Sequence, residues 1–203
     1  MRAAIRHLKK ADPILAAIIG AVGPFRLVTH EPTFETLTRS IVYQQVSGRA
    51  AASIFAKLSA AVGRSFSARA LLRLTPEQLR ACGLSAQKIV YVRDLAERVV
   101  KRQVDFKKLP AMTDDEIIET LTQVKGVGVW TAHMFLIFAL QRPDVFPIGD
   151  LGVQNAIRRA YQLKDAPKPA DLLRISQSWH PYCSVAAWYL WRSLEGAAAL
   201  GDK

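Results

Sequence analysis

"LTQVKGVGVWTA", Leu121 to Ala132, is the stretch whose reading decides the fold. Leu121, Val124, Val129 and Ala132 recur at helical spacing, yet Gly126 and Gly128 interrupt the run. A glycine inside a helix costs roughly 1 kcal/mol relative to alanine. A helix ending at Lys125, a tight Gly126-Val127-Gly128 connection and a second helix from about Val129 remove the conflict, because glycine accepts left-handed dihedrals. Such a hairpin turns backbone N–H groups and a helix N-terminus toward one point, where an anion can settle. Thr131 adds a hydroxyl and Lys125 adds charge, so a phosphate is the expected occupant, held without reading base sequence. The same pattern also suits a plain helix connection with glycine as C-cap.

The composition narrows the setting. With 203 residues, half of them hydrophobic, the chain can bury one sizeable core or two lobes of it, which argues against disorder. Lys and Arg number 28 against 17 Asp and Glu, a net charge of +11. That balance suits a polyanionic partner, nucleic acid foremost. Only Cys82 and Cys183 are present. They are too few for a disulfide framework or a zinc ribbon, and four-cysteine iron–sulfur ligation is excluded. Arg2, Arg6, Lys9 and Lys10 before "ILAAIIGAV" imitate a signal peptide, but Asp12-Pro13 reads as N-cap and N1 of an ordinary buried helix. No apolar run is long enough to span a bilayer, so a soluble intracellular protein is expected, without membrane association.

Helical spacing recurs along the chain and period-two alternation is scarce, which predicts nine or ten helices joined by short loops. Phe34, Leu37 and Ile41 mark a helix ending near Tyr43, and Ser47 caps the next, whose apolar face carries Ala51, Ile54, Phe55, Leu58 and Val62. Thr75-Pro76 and Ser85 start two more, and Thr113 with Glu116 forms a capping box. After the apolar helix through Phe138 comes the Pro- and Gly-rich loop "QRPDVFPIGDLG", then helices from about Asn155 and about Tyr182. "LRACGLSAQK" faintly echoes the opening stretch, as recurrent helical-hairpin chemistry.

"LTQVKGVGVWTA" resembles the helix–hairpin–helix of the DNA glycosylase superfamily named for that motif and its Gly/Pro-rich loop with aspartate, the HhH-GPD superfamily. "FPIGDLGVQNA" is similar to that loop, with Asp150 placed 22 residues after Gly128. "SIVYQQVSGRAA" resembles the first DNA-contact loop of the family, and "CGLSAQK" and "YCSVAAWYLW" fall at family-like places. The resemblance runs from Asp12 to about Leu194, and is strongest to the 3-methyladenine DNA glycosylase II type. The expectation is the helical core alone, without the amino-terminal β domain some members carry.

The resemblance implies chemistry. A glycosylase must flip a nucleotide out of the stack at a cost of a few kcal/mol. Gln45 stands where the family has its intercalating wedge, with Gln44 and Ser47 beside it as further DNA contacts; a polar interhelical loop is the plainer alternative. Asp150 stands as the catalytic carboxylate, able to stabilise an oxocarbenium-like sugar and to orient water. It also reads as a helix N-cap, and the two roles are compatible because a helix N-terminus favours the ionised carboxylate. Members that also cut the backbone carry a nucleophilic lysine just before the Thr-Ala of the hairpin. Here that residue is Trp130, which implies a monofunctional enzyme using water, with no AP-lyase activity. An alkylated purine is cationic and drawn to aromatic faces. Trp130 and Trp191 stand at the base pocket, with Met134, Phe146 and Tyr43, and more weakly Trp188, around them; core packing is the alternative for each. Lys125, Gly126, Val127, Gly128 and Thr131 stand at the DNA backbone. Lys88, Arg49, Arg158 and Arg159 are candidate phosphate partners. The carbonyls of Thr122, Val124 and Val127 stand where family hairpins hold a monovalent Na⁺ or K⁺; no other cofactor is expected.

The expected fold is all-α, two helical lobes around a central cleft. One lobe spans 34–112; the other combines 1–33 with 113–203 and contains the helix–hairpin–helix at 115–140. The expected function is hydrolysis of the N-glycosidic bond of alkylated purines, of the 3-methyladenine and 7-methylguanine type, in double-stranded DNA, by a monomer. The expected location is cytoplasmic, on the nucleoid in a bacterium, or nuclear in a eukaryote. A glycosylase for other damaged or mismatched bases, a non-catalytic DNA-binding hairpin module and a helical interaction protein are the alternatives.

Overall fold

The computed structural model describes residues 1–198, with side chains through Glu195. Among the described residues there are twelve α-helices and two short 3-10 turns, and no strand. The fold is all-α, as expected. The N-terminal segment is two helices rather than one, α1 (Arg2–Ala11) and α2 (Pro13–Val22). Asp12 separates them: its Oδ1 accepts the Ile14 and Leu15 N–H groups at 2.9 and 3.0 Å, and Pro13 occupies the first position, where a missing N–H costs nothing. Leu15 and Ile19 are buried, so the apolar run is core.

The chain forms two compact units, one of Met1–Thr29 with Leu136 onward, the other His30–Phe135. The second unit contains α3 (Phe34–Tyr43), α4 (Gly48–Val62), α5 (Ala68–Arg73), α6 (Pro76–Ala81), α7 (Ala86–Val100), α8 (Asp114–Thr122) and the start of α9 (Val129–Phe138). Side chains at the predicted positions cap four of these helices, and Thr33 and Ser67, not predicted, cap α3 and α5. Ser47, Thr75, Ser85 and Thr113 each accept the N–H three residues on, and Thr75 and Thr113 complete capping boxes with Gln78 and Glu116. Around α7, whose Val92, Leu95 and Ala96 are fully buried, pack α3, α5 and α6.

The sequence places the end of this lobe at Met112, whereas the unit continues to Phe135. The reason is hydrogen bonding from α7 and the α3–α4 loop onto the hairpin. The Lys125 N–H donates to Asp94 Oδ2 at 3.0 Å, and Gln44 Nε2 donates to the Gly126 carbonyl at 2.9 Å. The first hairpin helix stops at Thr122 rather than Lys125, because its last residues tighten into turns closed by Val124 N–H to Leu121 O and Val127 N–H to Val124 O.

In the other unit follow α10 (Leu151–Ala160), α11 (Pro169–Ser176) and α12 (Cys183–Ala198). Here α10 begins four residues before the expected Asn155, since Asp150 caps it, and α11 is an additional helix. Residues 199–203 of the expected lobe lie outside the described residues. Ser184 through Leu190 of α12 are all buried, as a helix enclosed on every side requires. Alanines 186 and 187 let α2 and α10 approach it closely, and Leu8, Ile157, Trp179 and Tyr189 complete the core. No helix among the described residues is long and apolar enough to cross a membrane.

Candidate active site and nucleic-acid interface

Asp150 follows a turn closed by its own N–H to Pro147 O at 2.9 Å, and it begins α10. The residue is 9% exposed. Oδ1 accepts two bonds, from the Val153 N–H and from the Trp191 indole Nε1, both at 2.8 Å. The first is the predicted N-cap. The second crosses from α12 and does not announce itself in the sequence. Trp191 in turn stacks on Phe138, ring centroids 5.7 Å apart and planes 25° from parallel. Two donors from different helices on one oxygen restrict the carboxylate's rotation. Gly152 completes the arrangement. A Cβ there would lie 3.0 Å from Asp150 Oδ1 and 3.1 Å from Trp191 Cδ1. Neither Gly152 nor Phe138 is singled out by pattern, because a glycine in the first turn of a helix and an aromatic on an apolar helix have commonplace explanations.

Two aromatic candidates in this unit belong to its core. Phe146 sets its ring edge-on to Trp179 at 5.8 Å, and Trp188, 5% exposed, packs against Phe25 and Tyr189. Arg158 and Arg159 lie exposed in the last turn of α10, where cations complement the helix dipole.

In the other unit the hairpin is present, and Gly126 takes the left-handed dihedral expected of it while serving a second purpose as well. Gly126 has φ 80°, and a Cβ there would fall 2.1 Å from Cδ2 of Tyr91. The bare backbone at Gly126 makes room for that ring. Around Gly128 nothing lies within 4 Å of such a Cβ, so it is the glycine with an open side. Thr131 is buried at 5% exposure, and its hydroxyl lies 3.4 Å from Gln44 Nε2 rather than facing outward for a phosphate. Val127 is buried as well, so only its backbone can face a ligand. The Lys125 main chain is held by Asp94, which also pairs with Arg98 at 2.9 Å. Burial opposes ionisation of Asp94, but these bonds outweigh it and hold its carboxyl below the usual range.

The α3–α4 loop divides its two glutamines. Gln44 is half-buried and ties the loop to the hairpin, while Gln45 is exposed with φ 55°. Ser47 spends its hydroxyl on capping α4, through the Ala50 N–H at 3.4 Å. Arg49 is exposed, whereas Lys88 sends Nζ to the carbonyls of Val42 and Gln44. A groove of about 680 Å³ runs along this surface, lined by Tyr43, Gln44, Gln45, Lys88, Tyr91 and Trp130. Trp130 is 45% exposed; Met134 and Tyr43 are half-buried, and Tyr43 has the Arg39 guanidinium 4.0 Å over its ring. At the suggested cation site the Val124 carbonyl already accepts the Val127 N–H at 3.0 Å, which leaves it one lone pair for an ion.

Comparison with known proteins places these features. The family model described as HhH-GPD superfamily base excision DNA repair protein matches residues 38–181. DNA-3-methyladenine glycosylase 1 of Schizosaccharomyces pombe is 34% identical over 182 residues, covering 88% of this chain and 80% of that protein. The S. pombe 3-methyladenine DNA glycosylase solved in complex with abasic DNA superposes with a TM-score of 0.83 at 32% identity, covering 95% of this chain and 97% of that one. The crystal structure of a DNA-3-methyladenine glycosidase from Bacillus halodurans gives a TM-score of 0.87 at 35% identity, covering 97% and 91% of the two chains.

Proposed function

We propose, from the premise that this chain belongs to the HhH-GPD superfamily of base excision DNA repair proteins, that it removes alkylated purines from double-stranded DNA by hydrolysing the N-glycosidic bond. The relatives named as 3-methyladenine DNA glycosylases support the substrate class. The observation that carries the mechanism is the fixed carboxylate, with Asp150 Oδ1 held by the Val153 amide and the Trp191 indole. As the bond to a cationic base breaks, positive charge builds on the sugar, and a preoriented carboxylate lowers that barrier without reorganising. Asp150 also orients the attacking water. Trp130 holds the position at which lyase members carry lysine, so the product is an abasic site and an unbroken strand.

The exposed Trp130 ring takes the cationic purine, with Met134 and Tyr43 as neighbours. Phosphates approach the hairpin at Lys125 and Gly128, Gln45 enters the duplex, and the carbonyls of Thr122, Val124 and Val127 hold Na⁺ or K⁺. The enzyme acts as a monomer wherever the cell keeps its DNA, on the nucleoid or in the nucleus. The test is release of free base from methylated duplex DNA, with nicks scored before and after alkali. Release by the wild type with nicks only after alkali, and its loss in Asp150→Asn, is the expected result. Nicks before alkali overturn the monofunctional assignment, and a fully active Asp150→Asn overturns the role of the carboxylate.

A further inference from the structure

Two side chains hold the α3–α4 loop, Lys88 and Gln44. Gln45 sits at φ 55°, in the left-handed region that a long side chain seldom occupies. The main-chain bond that closes the end of α3, Gln44 N–H to Ile41 O, is long at 3.3 Å. Such a turn relaxes unless its surroundings determine it. Lys88, in the first turn of α7, supplies the constraint. Its Nζ donates to Val42 O at 2.6 Å and to Gln44 O at 2.7 Å, two carbonyls at the C-terminal end of α3 that the helix itself leaves without donors. A cation is also favoured there by the α3 dipole. The Gln44 carbonyl belongs to the peptide that joins Gln44 to Gln45, so the ammonium fixes the plane from which Gln45 departs. On the far side, Gln44 Nε2 donates to Gly126 O and anchors the same loop to the hairpin. The sequence alone marks Lys88 as one more phosphate partner, yet its ammonium is turned onto carbonyls and the residue is half-buried. Burial lowers its pKa from the ordinary lysine value, the mark of a charge drawn out of water.

We propose that Lys88 is a positioning residue for base excision: it spends its charge on the Val42 and Gln44 carbonyls and thereby fixes the direction in which Gln45 meets DNA, and it neutralises no phosphate. The inference rests on the assignment of Gln45 as the side chain that enters the duplex.

The experiment is a double-mutant cycle of Lys88→Met and Gln45→Ala, read by single-turnover base release from methylated duplex at saturating enzyme and by the salt dependence of binding to undamaged duplex. Lys88→Met is expected to slow release by about 10- to 100-fold, the size of effect a ~1 Å misplacement causes. The slope of log K against log salt should stay within about 0.3 of wild type, whereas loss of a phosphate contact would reduce its magnitude by about 0.9. In the Gln45→Ala background, Lys88→Met should add less than about 3-fold, because the two residues act through one event. Lys88→Gln, which keeps a donor for one carbonyl, serves if the methionine variant does not fold. A slope reduced by about 0.9, or losses that multiply, overturns the inference. If Gln45→Ala changes neither release nor binding, the duplex-entry assignment fails and the inference falls with it. If Gln45→Ala is impaired and Lys88→Met is not, the inference alone fails.

Discussion

Asp12 and Asp150 are near twins. Each is buried, 7% and 9% exposed, each caps a helix, and each accepts a tryptophan indole N–H, from Trp179 at 2.9 Å and from Trp191 at 2.8 Å. They differ in what surrounds the carboxylate. The Oδ1 of Asp12 takes the Ile14 and Leu15 amides while its Oδ2 takes Trp179 and the Tyr161 hydroxyl, so both oxygens serve the protein. At Asp150 the amide and the indole both fall on Oδ1, and Gly152 keeps the adjacent space clear of a side chain. The Asp12 arrangement knots three segments of a core, and the Asp150 arrangement ties the start of α10 to α12. A buried aspartate with an indole partner is therefore no sign of catalysis by itself. What stands beside the carboxylate is more informative: a tyrosine hydroxyl at Asp12, and at Asp150 the bare Gly152 and an indole stacked on Phe138.

The largest expected separation comes from the two asparagine variants. Asp150→Asn should slow base release by about 10²–10³-fold, in line with losing a preorganised electrostatic group. Asp12→Asn should leave the rate of folded molecules within about 3-fold of wild type but cost about 2–4 kcal/mol, lowering Tm by roughly 5–15 °C. Thermal unfolding beside single-turnover release measures both, and a stability loss at Asp150 matching that at Asp12 would break the contrast. The indoles come next. Trp191→Phe should slow release about 10-fold by freeing the carboxylate to rotate, while Trp179→Phe should act on stability, by about 1–3 kcal/mol, through a lost bond and a cavity.

Gly152→Ala sharpens the argument further. Its methyl must displace Asp150 Oδ1 or Trp191 by a few tenths of an ångström, so release should fall about 3- to 10-fold, while stability stays within about 1 kcal/mol because alanine favours the helix. The smallest effect is one of pH. Burial, then the Asp12 carboxylate, raises the pKa of the Tyr161 hydroxyl above its ordinary value. A raised folded pKa means that the stabilisation is intact below the unfolded value near 10 and is lost as pH climbs beyond it. Wild type should therefore lose stability above about pH 10 more steeply than Tyr161→Phe, by up to ~1.4 kcal/mol per pH unit, in alkaline denaturant titrations.

The N-caps were the most legible part of the chain. Ser47, Thr75, Ser85, Thr113, Asp12 and Asp150 bind amides two or three residues away, so a short window of sequence contains both partners. The α11 helix was not legible, lying in a Pro- and Lys-rich stretch where Lys168 and Asp171 mark the start instead of a hydroxyl side chain. The lobe boundary failed for the same kind of reason in reverse. Thr113 starts a helix as clearly as any domain would, but Asp94 and Gln44 bind the hairpin from 31 and 82 residues upstream.

The sequence by itself determined that the chain is helical, where most helices begin, that its charge suits a polyanion, and which aspartate, hairpin and loop resemble a glycosylase. Those properties depend on neighbours in the chain or on composition. Tertiary structure decided that Gly126 is bare for Tyr91, that Trp191 fixes Asp150 while Phe146 and Trp188 build core, and that Lys88 faces carbonyls. The partner in each of these cases lies from 33 to 46 residues away in the chain, apart from Phe25 and Trp188, which are farther still. A side chain's role depends on what it meets across that separation, and periodicity carries no record of the meeting.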